Sequence, residues 1–269
     1  LEKKYILSFA KKINAPIFID IFSQMRNIKN KKNLFIYYEN YLQLIEKKPD
    51  IIFRFGDKPT SKKLNSFLNL NKPKIFLLSE KNVSNDNCKN KIIIEYKNLL
   101  SHIRTDCIGE NPWMRYFQLI EKKSAEIINK KTKGNNQARL VNSTLKKLNA
   151  GDYILIGNST MIRMFERFSG PLNKNITIFG NYITRGIDGL LSTALGISTI
   201  NNKTNNYLFI GDLSFFYDIN AFHMLKNEKI NLTIIVVNNN GGQIFSQLPY
   251  ANKNIKHFEK YWITPPFTK

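Results

Sequence analysis

The chain has 269 residues, 42% of them apolar and 12% aromatic, enough for one large or two ordinary α/β domains with a real core. Its apolar stretches are short and broken by Lys or Asn, so none approaches the ~20 residues of a membrane-spanning helix, and the N-terminal segment lacks the order of a secretory signal. Lys and Arg number 41 against 20 acidic residues, a net +21, but they are spread from Lys3 to Lys269 among much Asn and Ile, the mixture that AT-rich codon usage produces, and no basic face with interleaved aromatics marks a nucleic-acid surface.

Leu1, Tyr5, Phe9 and Ile13 recur at helical spacing, and the run IFIDIF after Pro16 predicts a buried strand. Residues 33–48 read as a helix. PDIIFRFG reads as a strand stopped by Gly56, TSKKLNSFLNL as a helix capped by Thr60 or Ser61, and KPKIFLLSE and KIIIEY as strands. This alternation implies a parallel sheet flanked by helices. Leu100 to Pro112 breaks the pattern and is a candidate linker, followed by helices from Trp113 to about Lys131 and from Gln137 to Asn149.

A second alternating unit follows Gly151. DYILIGNS, ITIFGN, NYLFIGD and NLTIIVVNNN read as strands, GIDGLLSTALGIS as a helix opened by Gly, and DINAFHMLKNEK as a crossover helix. The fold class is α/β, two Rossmann-like domains with parallel sheets. Ligands of such sheets gather at the carboxyl ends of strands, which here carry Asn158, Ser159, Asn181, Asp212 and Asn238 to Asn240. Cys88 and Cys107 form no metal spacing and no disulfide framework. His102, His223 and His257 stand outside these motifs and read as structural.

The informative spacing is Gly211-Asp212, then 26 intervening residues, then Asn239-Asn240-Gly241-Gly242. A strand, crossover and strand bring the two ends close together, so a carboxylate, an amide oxygen and a carbonyl freed by Gly241 are available to one small volume. These hard oxygen donors suit Mg²⁺, with Mn²⁺ as a substitute, and glycines let main-chain N–H groups approach a diphosphate. Taken alone, Gly-Asp is also a strand-to-helix turn in which Asp caps the helix, and Asn-Gly is also an ordinary turn.

Jointly the two match the thiamine diphosphate signature. RGIDGLLSTALG (185–196), GDLSFFYDINAF (211–222) and VVNNNGGQIFSQLP (236–249) resemble the cofactor-binding half of the 2-succinyl-5-enolpyruvyl-6-hydroxy-3-cyclohexene-1-carboxylate synthase (MenD) family. PIFIDIFSQMRN and KPDIIFRFGDKPTSKKL resemble that family's central domain. The resemblance implies a transhydrogenase-like central domain over 1–108 and a diphosphate-binding domain over 109–269 that stops before the family's last helices, with the pyrimidine-binding domain and its Glu absent. On that expectation the chain is the interior of a longer protein and is inactive by itself.

Carried over by position, the resemblance implies that the side chains of Asp212 and Asn239 and the carbonyl of Gly241 bind Mg²⁺. Gly211, Leu213, Gly242 and Ile244 would line the pocket for thiamine diphosphate. Ile187 would be the apolar wedge that keeps the cofactor bent, with a core residue as its alternative reading. Ser159 and Arg163 would contact substrate; an Arg fork suits carboxylates, and 2-oxoglutarate and isochorismate are the family's substrates. Lys62 aligns with a basic substrate-facing position, although a solvated helix Lys reads the same way. Phe245 and Leu248 would form an apolar wall beside the reacting carbon.

The implied activity is decarboxylation of 2-oxoglutarate and addition of the remaining succinyl unit to isochorismate, in menaquinone or phylloquinone biosynthesis, by a homodimer or homotetramer in the cytoplasm or a plastid stroma. One departure stands in the motifs, since the family's Asn-Arg-Gly reads here Asn181-Tyr182-Ile183-Thr184-Arg185-Gly186, with Tyr182 in place of Arg. A different thiamine diphosphate carboligase and a non-catalytic cofactor-binding remnant remain the rival readings.

Overall fold

The computed structural model describes residues 3–28, 32–46, 49–70, 72–81, 88–103, 111–134, 136–181, 183–226, 230–253 and 255–264. The chain divides into two compact units: residues 1–136 with 166–171, and residues 137–165 with 172–269. The boundary expected at 108/109 lies ahead of the long helix that follows it, whereas contacts place that helix with the first unit.

In the first unit, α1 (Lys3–Lys12) buries Ile6, Phe9 and Ala10, and β1 (Ile17–Phe18) pairs in parallel with β2 (Leu34–Phe35). β3 (Ile51–Phe55), α2 (Lys62–Asn69), β4 (Lys74–Ser79) and β5 (Asn90–Ile93) follow, with the strands parallel in the order β3-β4-β5. α3 (Pro112–Lys131) starts with Pro at its first position and the Asn111 side chain accepting from Trp113 N–H at 3.0 Å, a standard way to satisfy a helix's first donors. Met114, Phe117 and Ile128 of α3 join Phe35, Tyr38, Leu64 and Phe67 in one apolar cluster. Ser61, not Thr60, caps α2, its hydroxyl accepting from Leu64 N–H at 2.9 Å. The candidate linker falls mostly on residues 104–110, which lie outside the described residues together with Cys107.

Three expectations in this unit are corrected. Residues 33–48 are not a helix but β2 followed by 3₁₀ turns at Tyr38–Asn40 and Leu42–Leu44. Sheet pairing and a distant carboxylate hold the segment: the Asn33 and Phe35 carbonyls accept from Ile17 and Ile19 N–H, and Glu121 of α3 accepts from Ile36 N–H at 2.6 Å, Tyr37 N–H at 3.0 Å and the Tyr41 hydroxyl at 2.8 Å. The strand expected over IFIDIF ends at Phe18, because Asp20 caps a 3₁₀ turn at Ile21–Ser23 by accepting from Phe22 N–H. The strand expected through Tyr96 ends at Ile93, and a 3₁₀ turn starts at Tyr96.

The first unit buries a polar cluster. The carboxyl of Glu166 accepts from Arg26 Nη2 and Tyr38 OH at 2.5 Å each, and from Ile21 N–H at 2.8 Å. Burial pushes this carboxyl up to about 8, against the pull of Arg26. Burial likewise raises the Tyr38 phenol, further helped by the facing Glu166.

The second unit holds α4 (Gln137–Lys147), β6 (Tyr153–Ile156), the start of α5 (Thr160–Phe168), β7 (Thr177–Phe179), α6 (Leu190–Ile200), β8 (Asn206–Gly211), α7 (Asp212–Tyr217) and β9 (Leu232–Val237). All four strands are parallel, in the order β7-β6-β8-β9. The chain therefore steps outward from β6 to β7, then returns to the other side of β6 for β8, which makes the gap between the ends of β6 and β8 the topological switch point. Leu155, Leu208 and Ile210 of the sheet pack on Leu190, Leu191, Ala194 and Leu195 of α6 in a buried core. Among the described residues no helix is long and apolar enough to cross a membrane.

Two details differ from expectation here. The helix expected to start at Gly186 begins at Leu190, after Gly189 in a left-handed conformation. The crossover expected over 218–229 is instead α7 from Asp212, broken at Asp218, and then 3₁₀ turns over Ile219–Lys226, with 227–229 outside the described residues.

Candidate cofactor and metal site

β8 and β9 run in register to their last pair, Gly211 opposite Val237. The next residues on each strand are Asp212, which opens α7 and is buried, and Asn238-Asn239. Asn240 and Gly241 then take φ of +65° and +99°, a reversal that favours glycine. The turn brings Gly241 N–H to 2.8 Å from Asp212 Oδ2.

The remaining oxygens converge. The Asn239 side-chain amide stands 2.9 Å from the Gly241 carbonyl oxygen and 3.2 Å from Asp212 Oδ1, and with Nδ2 inward it donates to both. Turned the other way, the amide would present its oxygen beside these two, and a cation among the three oxygens would replace the two hydrogen bonds. One carboxylate, one amide and one carbonyl form a hard oxygen set suited to Mg²⁺ or Mn²⁺, which take oxygen ligands and fill the rest of their shell with water or phosphate. Among the described residues no three His, Cys, Asp or Glu side chains group as a metal site, so this set emerges only when amide and carbonyl oxygens are counted.

The two flanking glycines differ. A Cβ on Gly211 would meet nothing within 4 Å, leaving open space at the end of β8. Gly242 is packed: its N–H donates to the Ile263 carbonyl, and a Cβ there would stand 2.8 Å from that oxygen. Leu213 is half-buried in the first turn of α7. Ile244 leads into a 3₁₀ turn over Phe245–Gln247, Phe245 meets the Trp262 ring edge-on at 5.8 Å, and Leu248 follows half-buried.

Across the switch point, β6 ends at Gly157-Asn158-Ser159. Asn158 is buried and donates from Nδ2 to the carbonyls of Asn181 (3.2 Å) and Gly186 (2.6 Å), holding the segment that leads to Ile187. Ile187 is half-buried in the bend ahead of α6, so it is not a residue of the helix face. Ser159 sits at φ +65° just before α5, and Arg163, exposed, donates from Nη1 to the Ser159 carbonyl. Lys62 is exposed in the first turn of α2 in the other unit, and its assignment to substrate rests on the resemblance alone. Tyr182 lies outside the described residues.

Sequence reasoning missed Asp218. Its buried carboxylate accepts from Ser192 N–H at 2.8 Å and from the Ser192 hydroxyl at 3.1 and 3.2 Å, at the first turn of α6. The only signal was its place at the end of SFFYD, quoted as a family run and not as a role.

Residues 156–266, which hold every site residue above except Lys62, match the family described as "Thiamine pyrophosphate enzyme, C-terminal TPP binding domain". Nearly the whole chain also aligns with 2-succinyl-5-enolpyruvyl-6-hydroxy-3-cyclohexene-1-carboxylate synthases. Over that length the chain is similar to these synthases. Identity is 30% to that of Bacillus cytotoxicus (97% of this chain, 46% of that protein), 31% to that of Staphylococcus epidermidis (97% and 47%) and 32% to that of Bacillus velezensis (98% and 48%). The chain thus spans about half the length of the synthases it matches.

Proposed function

We propose that this chain forms the central and diphosphate-binding part of a thiamine diphosphate-dependent transferase that decarboxylates 2-oxoglutarate and adds the succinyl unit to isochorismate. The observation that carries the reading is the convergence of Asp212 Oδ1, the Asn239 amide and the Gly241 carbonyl at the paired ends of β8 and β9. In this role the three hold a divalent cation that neutralises the cofactor's diphosphate, and Gly211 leaves room for it. When bound, thiamine diphosphate supplies the carbon nucleophile and the electron sink that decarboxylation of a 2-oxo acid requires.

The chain's own groups orient and clamp. Ile187, standing ahead of α6 and tied through Asn158, packs against the cofactor and keeps it bent. Arg163, with its planar fork, and the Ser159 hydroxyl bind substrate carboxylate, and Lys62 is proposed as a further cationic contact. Phe245 and Leu248 exclude water beside the reacting carbon. Sites of this kind are shared between subunits, so the assembly is at least a homodimer, and Arg185, three residues after Tyr182, is the proposed substitute for the family's Arg.

The test uses the full-length protein with Mg²⁺ and thiamine diphosphate, following CO₂ release from 2-oxoglutarate with and without isochorismate, beside Asp212→Ala. Isochorismate-dependent release that disappears in the variant is the expected result. Release that ignores isochorismate points to another carboligase, and cofactor binding without release to a non-catalytic remnant.

A further inference from the structure

We propose that Asp218 is a positioning residue: from the far end of α7 it anchors the first turn of α6 and so fixes where Ile187 stands. The inference rests on the cofactor reading above for what Ile187 touches, but the anchoring is a matter of geometry within the second unit.

A helix opens with N–H groups that have no partner inside it. For α6 the residue at the cap position is Gly189, at φ +68°, which has no side chain to accept from them. Asp218 supplies the missing acceptor from 26 residues away, taking Ser192 N–H at 2.8 Å while its two oxygens bracket the Ser192 hydroxyl at 3.1 and 3.2 Å. A carboxylate at that place also meets the positive end of the helix dipole. The rest of the neighbourhood adds a second tie, since Asn158 holds the Gly186 carbonyl at 2.6 Å and Asn181 donates to the Thr193 hydroxyl at 3.0 Å. Residues 187–189 are therefore stretched between two fixed points.

α7 makes this more than a helix cap. Asp212 opens α7 and Asp218 ends it, so one short helix has the oxygen cluster at its start and the α6 anchor at its end. The cation-binding group and the wedge-bearing loop are then set by the same rigid element. Loss of the anchor would leave the metal ligands intact while letting Ile187 wander, which lowers cofactor affinity and slows turnover without a matching rise in KM for the 2-oxo acid.

The experiment compares Asp218→Ala, Asp218→Asn and Ser192→Ala with wild type in the full-length protein. Three quantities are read: hydrogen exchange over residues 187–193 without cofactor, thiamine diphosphate affinity with Mg²⁺, and kcat against KM. Asp218→Ala is expected to lose exchange protection at Ser192 and about fivefold or more in cofactor affinity, the size of a lost helix cap. Asp218→Asn, which keeps an acceptor oxygen, should recover most of both, and Ser192→Ala should fall between; these two decide the matter if Asp218→Ala does not fold. Unchanged exchange overturns the anchor, and faster exchange with unchanged affinity and kcat overturns the positioning role. If the wild type binds no thiamine diphosphate, the cofactor reading falls while the exchange comparison still decides the anchor.

Discussion

Both units bury carboxyl groups, and Glu166 of the first and Asp212 of the second are completed in different ways. Glu166 in the first unit meets a donor at both oxygens: a guanidinium and a phenol at one, a main-chain N–H at the other. Asp212 in the second unit takes Gly241 N–H at Oδ2 and the Asn239 amide at Oδ1, the same amide that reaches the Gly241 carbonyl. A buried polar cluster that answers its own demand is part of the scaffold. One whose carboxylate and carbonyl are joined through a single side-chain amide keeps a second arrangement open, since turning that amide exchanges two hydrogen bonds for three oxygens around a cation.

The contrast breaks most visibly at Glu166. Replacing it with Ala strips Arg26, Tyr38 and Ile21 N–H of their common partner in a place water does not reach, with an expected loss of roughly 3–5 kcal/mol in urea unfolding. A variant that unfolds at the wild-type urea concentration would show that the cluster is not structural. Asp212→Ala leaves no buried guanidinium behind, only Gly241 N–H and the Asn239 amide, and should cost stability less than Glu166→Ala and less than it costs cofactor binding.

The next effect is one of pH. Burial raises the folded-state Glu166 carboxyl to about 8, above its unfolded value, so between these the folded protein holds a proton that the unfolded chain releases. The stability this provides is full below the unfolded value and is lost as pH rises toward 8, by roughly a few kcal/mol. Thermal midpoints taken from pH 5 to 9 should fall and then level, and Glu166→Gln should flatten the slope. A slope that survives in Glu166→Gln belongs to another group.

The same contrast explains what the sequence made legible. Parallel strands of the second unit read well because they are apolar runs with Gly or Asn at their ends, and the Gly-Asp to Asn-Asn spacing picks out the residues that meet at the ends of β8 and β9. What failed depended on partners remote in sequence. Residues 33–48 have a helix-like pattern, yet Glu121 of α3, about 80 residues on, captures their main-chain donors. Asp218 read as part of a crossover helix because its partner, Ser192, is 26 residues away. Glu166 reads as nothing at all, since no local pattern announces Arg26 across 140 residues or Tyr38 across 128. Side chains that act on a neighbouring segment are legible in sequence; those that complete a distant one are not.

The smallest expected change in stability is also the sharpest test of the site's boundary. Gly242 and Gly211 both belong to the glycines expected to line the cofactor, but their surroundings differ. A methyl group on Gly242 would press on the Ile263 carbonyl at 2.8 Å and the Trp262 carbonyl at 3.3 Å, main-chain atoms that must move, so Gly242→Ala should cost roughly 1–3 kcal/mol whether or not a cofactor exists. Gly211 has an extended backbone that any residue adopts and nothing within 4 Å of its missing Cβ. Gly211→Ala should therefore change unfolding free energy by no more than about 0.5 kcal/mol. Its methyl group would instead occupy the space through which a diphosphate approaches the main chain beside Asp212, and thiamine diphosphate affinity should drop about tenfold, measured by titration in the presence of Mg²⁺. Equal affinity in Gly211→Ala and wild type would mean that the open space at the end of β8 does not face the diphosphate, and the cofactor would then have to approach the oxygen cluster from the side of the Asn240–Gly241 turn.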